Sequence, residues 1–219
     1  FAFHPQVIFH HVGIQEAIKA GKTLQQNGYE FDLCYTSVLT RAIQTFNYAA
    51  DEIDCHHIPV IKDWRLNERH YGALQGLNKL ETVEKHGKEQ VQIWRRSYDI
   101  PPPELEINDK DIPKTIKDIK ILTPHFFQEH KYNNIDLEFK DTIDRVIPYW
   151  NSTIVPSVKE GKKVIVVAHG NSLRAIVKIL SNVSDADITE LNIPTAIPLI
   201  YEFDESFNVT KHQYLADPE

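Results

Sequence analysis

The feature that most constrains this chain is an apolar, β-branched run that leads straight into a helical pattern. Residues 164–168 have the sequence Val-Ile-Val-Val-Ala, residues 169–172 are His-Gly-Asn-Ser, and apolar residues recur at helical spacing from Leu173. We therefore expect a buried strand whose carboxyl end turns into a helix N-terminus. The free backbone amides of such an end bind phosphate groups well, and here an imidazole stands beside them.

Strand and helix patterns alternate along most of the sequence. Strands are expected over 31–35, 58–61 and 163–168, a hairpin over 198–214, and helices near 14–27, 39–53, 79–86, 88–97, 137–151 and 172–180. Such alternation is typical of an α/β fold with a mostly parallel sheet flanked by helices on both faces. We predict a single domain over residues 1–219.

Two local features add to this pattern. The pair Thr36-Ser37 precedes a helical stretch and is expected to cap it. From residue 104 to about 134 the periodicity fails, which indicates a long excursion over a pocket or a mobile loop.

The composition excludes several classes of function. The net charge of −7 disfavours nucleic acid or an anionic membrane surface as a partner. No apolar run approaches the roughly 20 residues that span a bilayer, and no secretory signal pattern opens the chain. The two cysteines, Cys34 and Cys55, lack a metal-ligand spacing. We therefore expect no metal site and a reduced, cytoplasmic setting, with Cys34 as a small buried hydrophobe.

Three residues are candidates for chemistry on a phosphoryl group. His169 could be a structural residue, but its strand-end position favours stabilisation of charge on a transferring phosphoryl group. Glu68, close to two arginines, is either part of a surface ion-pair cluster or a general acid and base for a substrate hydroxyl. Arg41 is either a solvated charge or a bidentate phosphate ligand. Ser172 is expected to cap its helix, because no base partner is evident that would make it a nucleophile.

A further group of basic residues follows along the chain. Arg95-Arg96 after Trp94, together with Lys79, would form a clamp for phosphate and carboxylate groups. Most Arg-Arg pairs are only solvated helix faces, so both interpretations stay open.

Together these residues resemble the cofactor-dependent phosphoglycerate mutases of the histidine phosphatase superfamily. The resemblance lies in the strings Tyr-Thr-Ser-Val-Leu-Thr-Arg-Ala-Ile (35–43), Trp-Arg-Leu-Asn-Glu-Arg-His-Tyr-Gly-Ala-Leu-Gln-Gly-Leu-Asn-Lys (64–79), Trp-Arg-Arg-Ser-Tyr-Asp-Ile-Pro-Pro-Pro (94–103), Ala-His-Gly-Asn-Ser-Leu-Arg (168–174) and Leu-Asn-Ile-Pro-Thr (191–195). The similarity as a whole covers nearly the entire chain outside the irregular excursion. The second and third strings favour the mutases over the superfamily's simple phosphatases.

The resemblance implies a phosphoglycerate mutase-like fold and the glycolytic and gluconeogenic interconversion of 3-phosphoglycerate and 2-phosphoglycerate. A phosphohistidine would donate its phosphoryl group to give bound 2,3-bisphosphoglycerate, the cofactor and intermediate, without a metal. Glu68 would transfer the proton, while His169 and Arg41 would stabilise the transferring group. The residues that would bind substrate phosphate and carboxylate are Arg69, His70, Tyr71, Lys79, Arg95, Arg96, Gly170 and Asn171. The expected partners are small phosphoglycerates, with neither nucleic acid nor membrane, and the expected state is a cytoplasmic homo-oligomer.

The sequence also departs from the family pattern. The family's nucleophile lies in an Arg-His-Gly-Glu string at the end of the first, central strand, and by register with Gly13 that string would precede Phe1. We therefore expect that the first central strand and a C-terminal tail are missing from this chain. Residues 123–139 depart from the pattern as well. The alternatives are a catalytically inactive relative that binds phosphorylated ligands or partners, and a superfamily phosphatase.

Overall fold

Helices and short strands alternate through the computed structural model, which describes residues 11–71, 74, 79–96, 98, 100–103, 139–188 and 190–215. In chain order the elements are α1 (His11–Gln26), β1 (Leu33–Thr36), α2 (Thr40–Ile53), β2 (Val60–Lys62), a 3₁₀ turn (Trp64–Leu66), α3 (Lys79–His86), α4 (Lys88–Arg96), α5 (Phe139–Tyr149), a π-helical turn (Trp150–Ile154), α6 (Val155–Lys159), β3 (Val164–Val167), α7 (Gly170–Leu180), α8 (Asp185–Ile188), β4 (Leu199–Phe203) and β5 (Val209–Tyr214). The Cα positions group the chain into two compact units. The larger contains residues 8–68 and 143–219, and the smaller contains residues 1–7 and 69–142.

A parallel sheet with the strand order β2-β1-β3 organises the described part of the larger unit. Cys34 of β1 pairs with Val60 of β2 on one side and with Ile165 of β3 on the other. β4 and β5 form the antiparallel hairpin that the sequence predicts. The predicted α/β class, with a parallel sheet flanked by helices, is therefore confirmed. Because parallel strands end at the same edge of a sheet, the residues that follow β1 and β3 meet there.

Small and apolar side chains fill the space beside β1. One cluster joins β1, α2 and the segment after α2, and its buried members are Cys34, Phe46, Ala50, Cys55 and Ile58. Both cysteines are free thiols, and burial raises the pKa of each. Cys34 is fully buried. The expectation that it acts as a small buried hydrophobe is confirmed.

Helix α1 approaches α2 at a glycine. The face that α1 buries carries Ala17, Ala20, Gly21 and Leu24, which recur at helical spacing. A Cβ added to Gly21 would lie 2.7 Å from the carbonyl oxygen of Ala49 and 2.9 Å from its Cα. The two helix backbones therefore lie too close together for any larger residue at this position.

The start of α2 differs from the expectation. The helix begins at Thr40, its N-cap is Leu39 in extended backbone, and no side chain caps it. The prediction that Thr36-Ser37 caps this helix is wrong. Both residues are fully buried, because β1 carries them into the interior at the edge of the sheet.

Helix α5 ends in a wider turn. Pro148 lies inside α5 and lacks a backbone N–H, so it cannot donate to the regular helical ladder. The chain continues as the π-helical turn, which buries Trp150 and Ile154, and then as α6. The helix that the sequence predicts over 137–151 is thus present, with a change of helix type at its end.

The smaller unit contains α3 and α4, which match the predicted helices over 79–86 and 88–97. Gly87 separates them with a φ of +80°, a left-handed conformation that glycine adopts without strain. Leu74, Thr82 and Val91 are buried. The irregular excursion lies outside the described residues.

None of the described helices is long and apolar enough to cross a membrane. The single domain over residues 1–219, the missing central strand and the missing C-terminal tail stay predictions. Residues 1–10 and 216–219, on which the last two bear, lie outside the described residues.

Candidate active site

Ser37, Arg41 and His169 meet beyond the carboxyl ends of β1 and β3. The Ser37 Oγ lies 2.7 Å from the His169 Nε2, and the Arg41 Nε–H donates to the His169 Nδ1 over 3.1 Å. A guanidinium group only donates, so Nδ1 must accept, and the proton of the neutral ring lies on Nε2. The Nε2–H of His169 therefore donates to the hydroxyl oxygen of Ser37.

These contacts hold Ser37 as an acceptor rather than activate it as a nucleophile. The Leu39 N–H also donates to the Ser37 Oγ, over 3.2 Å. With two donors on its oxygen, the hydroxyl can give its own proton to a third group, such as a phosphoryl oxygen. Ser37 is a site residue that the sequence patterns did not indicate. The available signal was its place directly after a strand that runs parallel to the strand before His169.

The imidazole of His169 is neutral at ordinary pH. Burial lowers its pKa well below the usual value, and the positive charges of Arg41 and Arg145 lower it further. The residue is 7% exposed. His169 would therefore stabilise developing negative charge through the dipole of its Nε2–H and not through a full positive charge.

The carboxylate of Glu68 lies at the N-terminus of α7. The side-chain amide of Asn171 donates to it over 2.7 Å, and the Asn171 backbone N–H lies 3.5 Å away from its second oxygen. A Cβ added to Gly170 would lie 3.7 Å from that second oxygen. Glu68 thus occupies the position that the helix dipole makes favourable for an anion. The sequence predicts a phosphate-binding helix end here, and the structure places a carboxylate at that end.

Helix α7 begins at Gly170 rather than at the expected Ser172. His169 is its N-cap, and the Ser172 hydroxyl accepts a hydrogen bond of 3.1 Å from the His169 N–H. The expectation that Ser172 helps to cap this helix is confirmed, although it does so from the third helical position. The contact fixes the backbone of His169, and so the direction of the imidazole.

A hydrogen bond between a backbone N–H and a side chain joins the segment of Glu68 to the segment of Ser37. The side-chain oxygen of Asn67 accepts a hydrogen bond of 3.2 Å from the Val38 N–H. The larger unit therefore gathers one set of the predicted site residues: Arg41, Glu68, His169, Gly170 and Asn171. It adds Ser37 to them.

The other predicted site residues belong to the smaller unit. The Arg69 guanidinium donates to the Trp94 carbonyl oxygen over 2.6 Å, and its Cζ lies 4.8 Å from the centroid of the Tyr71 ring. Burial lowers the pKa of His70 to about 4. The roles of these residues in substrate binding stay predictions. Three more predicted ligands have side chains that lie outside the described residues: Lys79, Arg95 and Arg96.

Known proteins share this fold. Residues 4–111 match the sequence model of the family described as histidine phosphatase superfamily (branch 1). The structure of the mycobacterial glucosyl-3-phosphoglycerate phosphatase is similar, with a TM-score of 0.62 and 18% identity over 94% of this chain and 85% of that chain. The structure of Bacillus stearothermophilus YhfR has a TM-score of 0.62 and 19% identity, over 91% of this chain and 80% of that chain. The α-ribazole phosphatase from Shigella flexneri has a TM-score of 0.58 and 15% identity, over 91% of this chain and 80% of that chain.

The chain therefore has the histidine phosphatase fold, and its residues 4–111 match the family's sequence pattern. Two of these three solved structures are named as phosphatases. At identities of 15–19% the likeness to them is one of fold. The choice between mutase and phosphatase chemistry depends on the residues of the site.

Proposed function

We propose that this chain is a phosphoryl-transfer enzyme of the histidine phosphatase superfamily that interconverts 3-phosphoglycerate and 2-phosphoglycerate. The observation that carries the proposal is that the Glu68 carboxylate accepts a hydrogen bond from Asn171, on the first turn of α7. The N-cap of the same helix is His169, which Ser37 and Arg41 hold. A group for proton transfer and a group for stabilising a phosphoryl oxygen thus lie together at one helix end.

The proposed reaction has two matched transfers. A phosphohistidine outside the described residues passes its phosphoryl group to the 2-hydroxyl of 3-phosphoglycerate, so that a P–N bond breaks, a P–O bond forms, and Glu68 takes the hydroxyl proton. The 3-phosphoryl group of the resulting 2,3-bisphosphoglycerate then returns to the histidine, and Glu68 gives the proton to the 3-oxygen. Both ring nitrogens of His169 are already hydrogen-bonded, so His169 acts on the moving group and does not carry it.

Hydrolysis is the second candidate function. The solved phosphatases support it, because they share the fold. The same groups would serve, with water in place of the second hydroxyl as the acceptor. The strings at 64–79 and 94–103 favour the mutase reaction over hydrolysis.

Phosphorus NMR separates the candidates. The protein is incubated with 3-phosphoglycerate and a trace of 2,3-bisphosphoglycerate. A mutase produces 2-phosphoglycerate without inorganic phosphate, whereas a phosphatase releases inorganic phosphate. Saturable binding of either compound without a product would contradict both candidates and support the catalytically inactive relative.

A labelling experiment tests the intermediate. Incubation with 2,3-bisphosphoglycerate that carries labelled phosphoryl groups should give protein-bound label that is acid-labile and base-stable, as expected of a phosphohistidine. Label of this kind excludes the inactive relative. Its absence during turnover would contradict the two-step transfer.

The proposal also includes the setting of the enzyme. Small phosphoglycerates are its partners, 2,3-bisphosphoglycerate primes it, no metal takes part, and it works as a cytoplasmic homo-oligomer. Turnover that survives a chelator would support the metal-free chemistry, and light scattering during gel filtration measures the oligomeric state.

A further inference from the structure

Arg145 of α5 holds the backbone of the segment that carries Glu68. Its two terminal nitrogens donate to the carbonyl oxygens of Arg65 and Asn67, the latter over 2.9 Å. The Asn67 carbonyl belongs to the peptide bond that joins Asn67 to Glu68. Because that peptide is planar, fixing its oxygen fixes the positions of the Glu68 N and Cα, from which the side chain extends.

The same face of α5 also holds the segment through a side chain. Tyr149 lies four residues after Arg145, and the Cζ of Arg65 lies 4.1 Å from the centroid of its ring. The same guanidinium donates hydrogen bonds of 2.7 and 2.8 Å to the Asp63 carboxylate. Two successive turns of α5 therefore contact the segment, at Arg65 and Asn67.

The geometry requires an arginine. A guanidinium presents two terminal nitrogens in a rigid, planar fork, so it can reach two carbonyl oxygens that are two residues apart. A lysine has one nitrogen on a flexible chain and loses the fixed angle between the two hydrogen bonds. The positive charge of Arg145 is also close enough to His169 to lower the pKa of that imidazole.

We propose that Arg145 is a positioning residue that sets the Glu68 carboxylate against Asn171 for proton transfer. The proposal rests on the proposed function, since Glu68 is the proton-transfer group there. Arg145 acts through Glu68 and not on the substrate. Its removal should therefore lower kcat much more than it raises KM. A displaced catalytic group stabilises the transition state less, whereas substrate binding changes little.

A double-mutant cycle tests this route of action. We expect Arg145→Lys to lower kcat by about 10- to 100-fold, the range that follows from a displacement of roughly 1 Å. Glu68→Gln removes the group through which Arg145 acts, so Arg145→Lys should have little further effect in the Glu68→Gln protein. The control is Lys140→Gln, which removes an exposed cation from the first turn of α5 and should leave kcat unchanged. Fully additive effects of Arg145→Lys and Glu68→Gln would overturn the proposal.

Hydrogen exchange gives a readout that does not depend on turnover. In Arg145→Lys, amide exchange should be faster in peptides that cover residues 64–70 and unchanged in α1, which also reports whether the variant is folded. If the wild-type protein turns over no phosphoglycerate, the proposed function fails while this local loosening still supports the positioning role. Unchanged exchange over residues 64–70 would contradict the positioning role even in an active enzyme. Arg145→Ala is a second variant. Free guanidinium added to it should make amide exchange over residues 64–70 slower than in the same variant without guanidinium.

Discussion

The Nε2 of His169 lies 2.7 Å from the hydroxyl oxygen of Ser37, across 132 positions of sequence. The Arg41 Nε–H on the other ring nitrogen fixes which of the two carries the proton. The hydrogen bond therefore has a direction, from the imidazole to the serine. Ser37 thus accepts a hydrogen bond from the protein and can donate its own hydroxyl proton in a hydrogen bond to a bound phosphoryl oxygen, and we call this arrangement the Ser37 relay.

The first prediction concerns this relay. Ser37→Ala should lower kcat about 10-fold, because the hydroxyl no longer donates to the phosphoryl group. It should also lower the free energy of unfolding by about 1–3 kcal/mol, since the buried Nε2–H of His169 loses its acceptor. Steady-state kinetics and urea unfolding measure the two effects. The control is Ser152→Ala, at an exposed serine. Wild-type kcat in Ser37→Ala would exclude a role for this hydroxyl in turnover.

The second prediction concerns the imidazole itself. His169→Ala removes the Nε2–H that donates to Ser37, and we expect kcat to fall by about 100-fold or more while the fold survives. The exposed residue His57 provides the control, as His57→Ala. Circular dichroism confirms folding, and phosphoglycerate turnover gives the rate. Near-normal turnover by a folded His169→Ala protein would rule out the role assigned to this residue.

The third prediction concerns proton transfer. Glu68→Gln keeps the shape and the contact with Asn171 but cannot exchange a proton, so kcat should fall by about 100- to 10,000-fold. Loss of the negative charge at the N-terminus of α7 should cost about 0.3–1 kcal/mol of folding stability. Glu84→Gln, at an exposed glutamate of α3, is the matched control. A Glu68→Gln enzyme with the kcat of the control would assign proton transfer to another group.

The strand–helix turn at His169 could be predicted from the sequence because two local patterns agree there. A β-branched run predicts the buried strand, and helical spacing after Leu173 predicts the helix. Glu68 and Arg41 could likewise be singled out, because their residue types suit phosphoryl chemistry. The pairing of Glu68 with Asn171 could not be derived in this way, since it joins residues that are 103 positions apart.

Ser37 and Arg145 show why the rest of the site could not be predicted. A serine before a helical pattern has the local signature of a cap, and only the tertiary contact with His169 overrides that signature. Arg145 donates to backbone carbonyls about 80 positions away, and a carbonyl group leaves no trace in the sequence because every residue carries one.

The fourth prediction concerns the contact between α1 and α2. Gly→Ala inside a helix ordinarily stabilises it by roughly 0.5–1 kcal/mol. At Gly21 the added methyl group would lie 2.7 Å from the Ala49 carbonyl oxygen, and such overpacking costs about 1–3 kcal/mol. Gly21→Ala should therefore be destabilising by about 1–2 kcal/mol on balance. Gln25→Ala, at an exposed position of the same helix, should change stability little. A more stable Gly21→Ala protein in urea unfolding would contradict the close approach of the two helices.

The fifth prediction concerns pH and the buried ring of His70. Its pKa is about 4 in the folded protein, against about 6.5 in an unfolded chain. Between these values the unfolded chain binds a proton that the folded protein does not, so stability falls as the pH drops, by about 1.4 kcal/mol per pH unit. From pH 7 to pH 4.5 the wild-type protein should lose about 2 kcal/mol more than His70→Gln.

The free energy of unfolding in urea at the two pH values measures this difference. At pH 7 the difference in free energy of unfolding between wild type and His70→Gln measures the packing that is lost with the histidine. His70 is then largely unprotonated in both the folded and the unfolded state. The difference in free energy of unfolding between wild type and His70→Gln should change from pH 7 to pH 4.5, and this change measures the contribution of His70 protonation alone. Burial of an unprotonated imidazole accounts for the low pKa. A difference that stays constant with pH would show that His70 binds its proton equally in the folded and unfolded states, and would exclude the burial of a neutral ring.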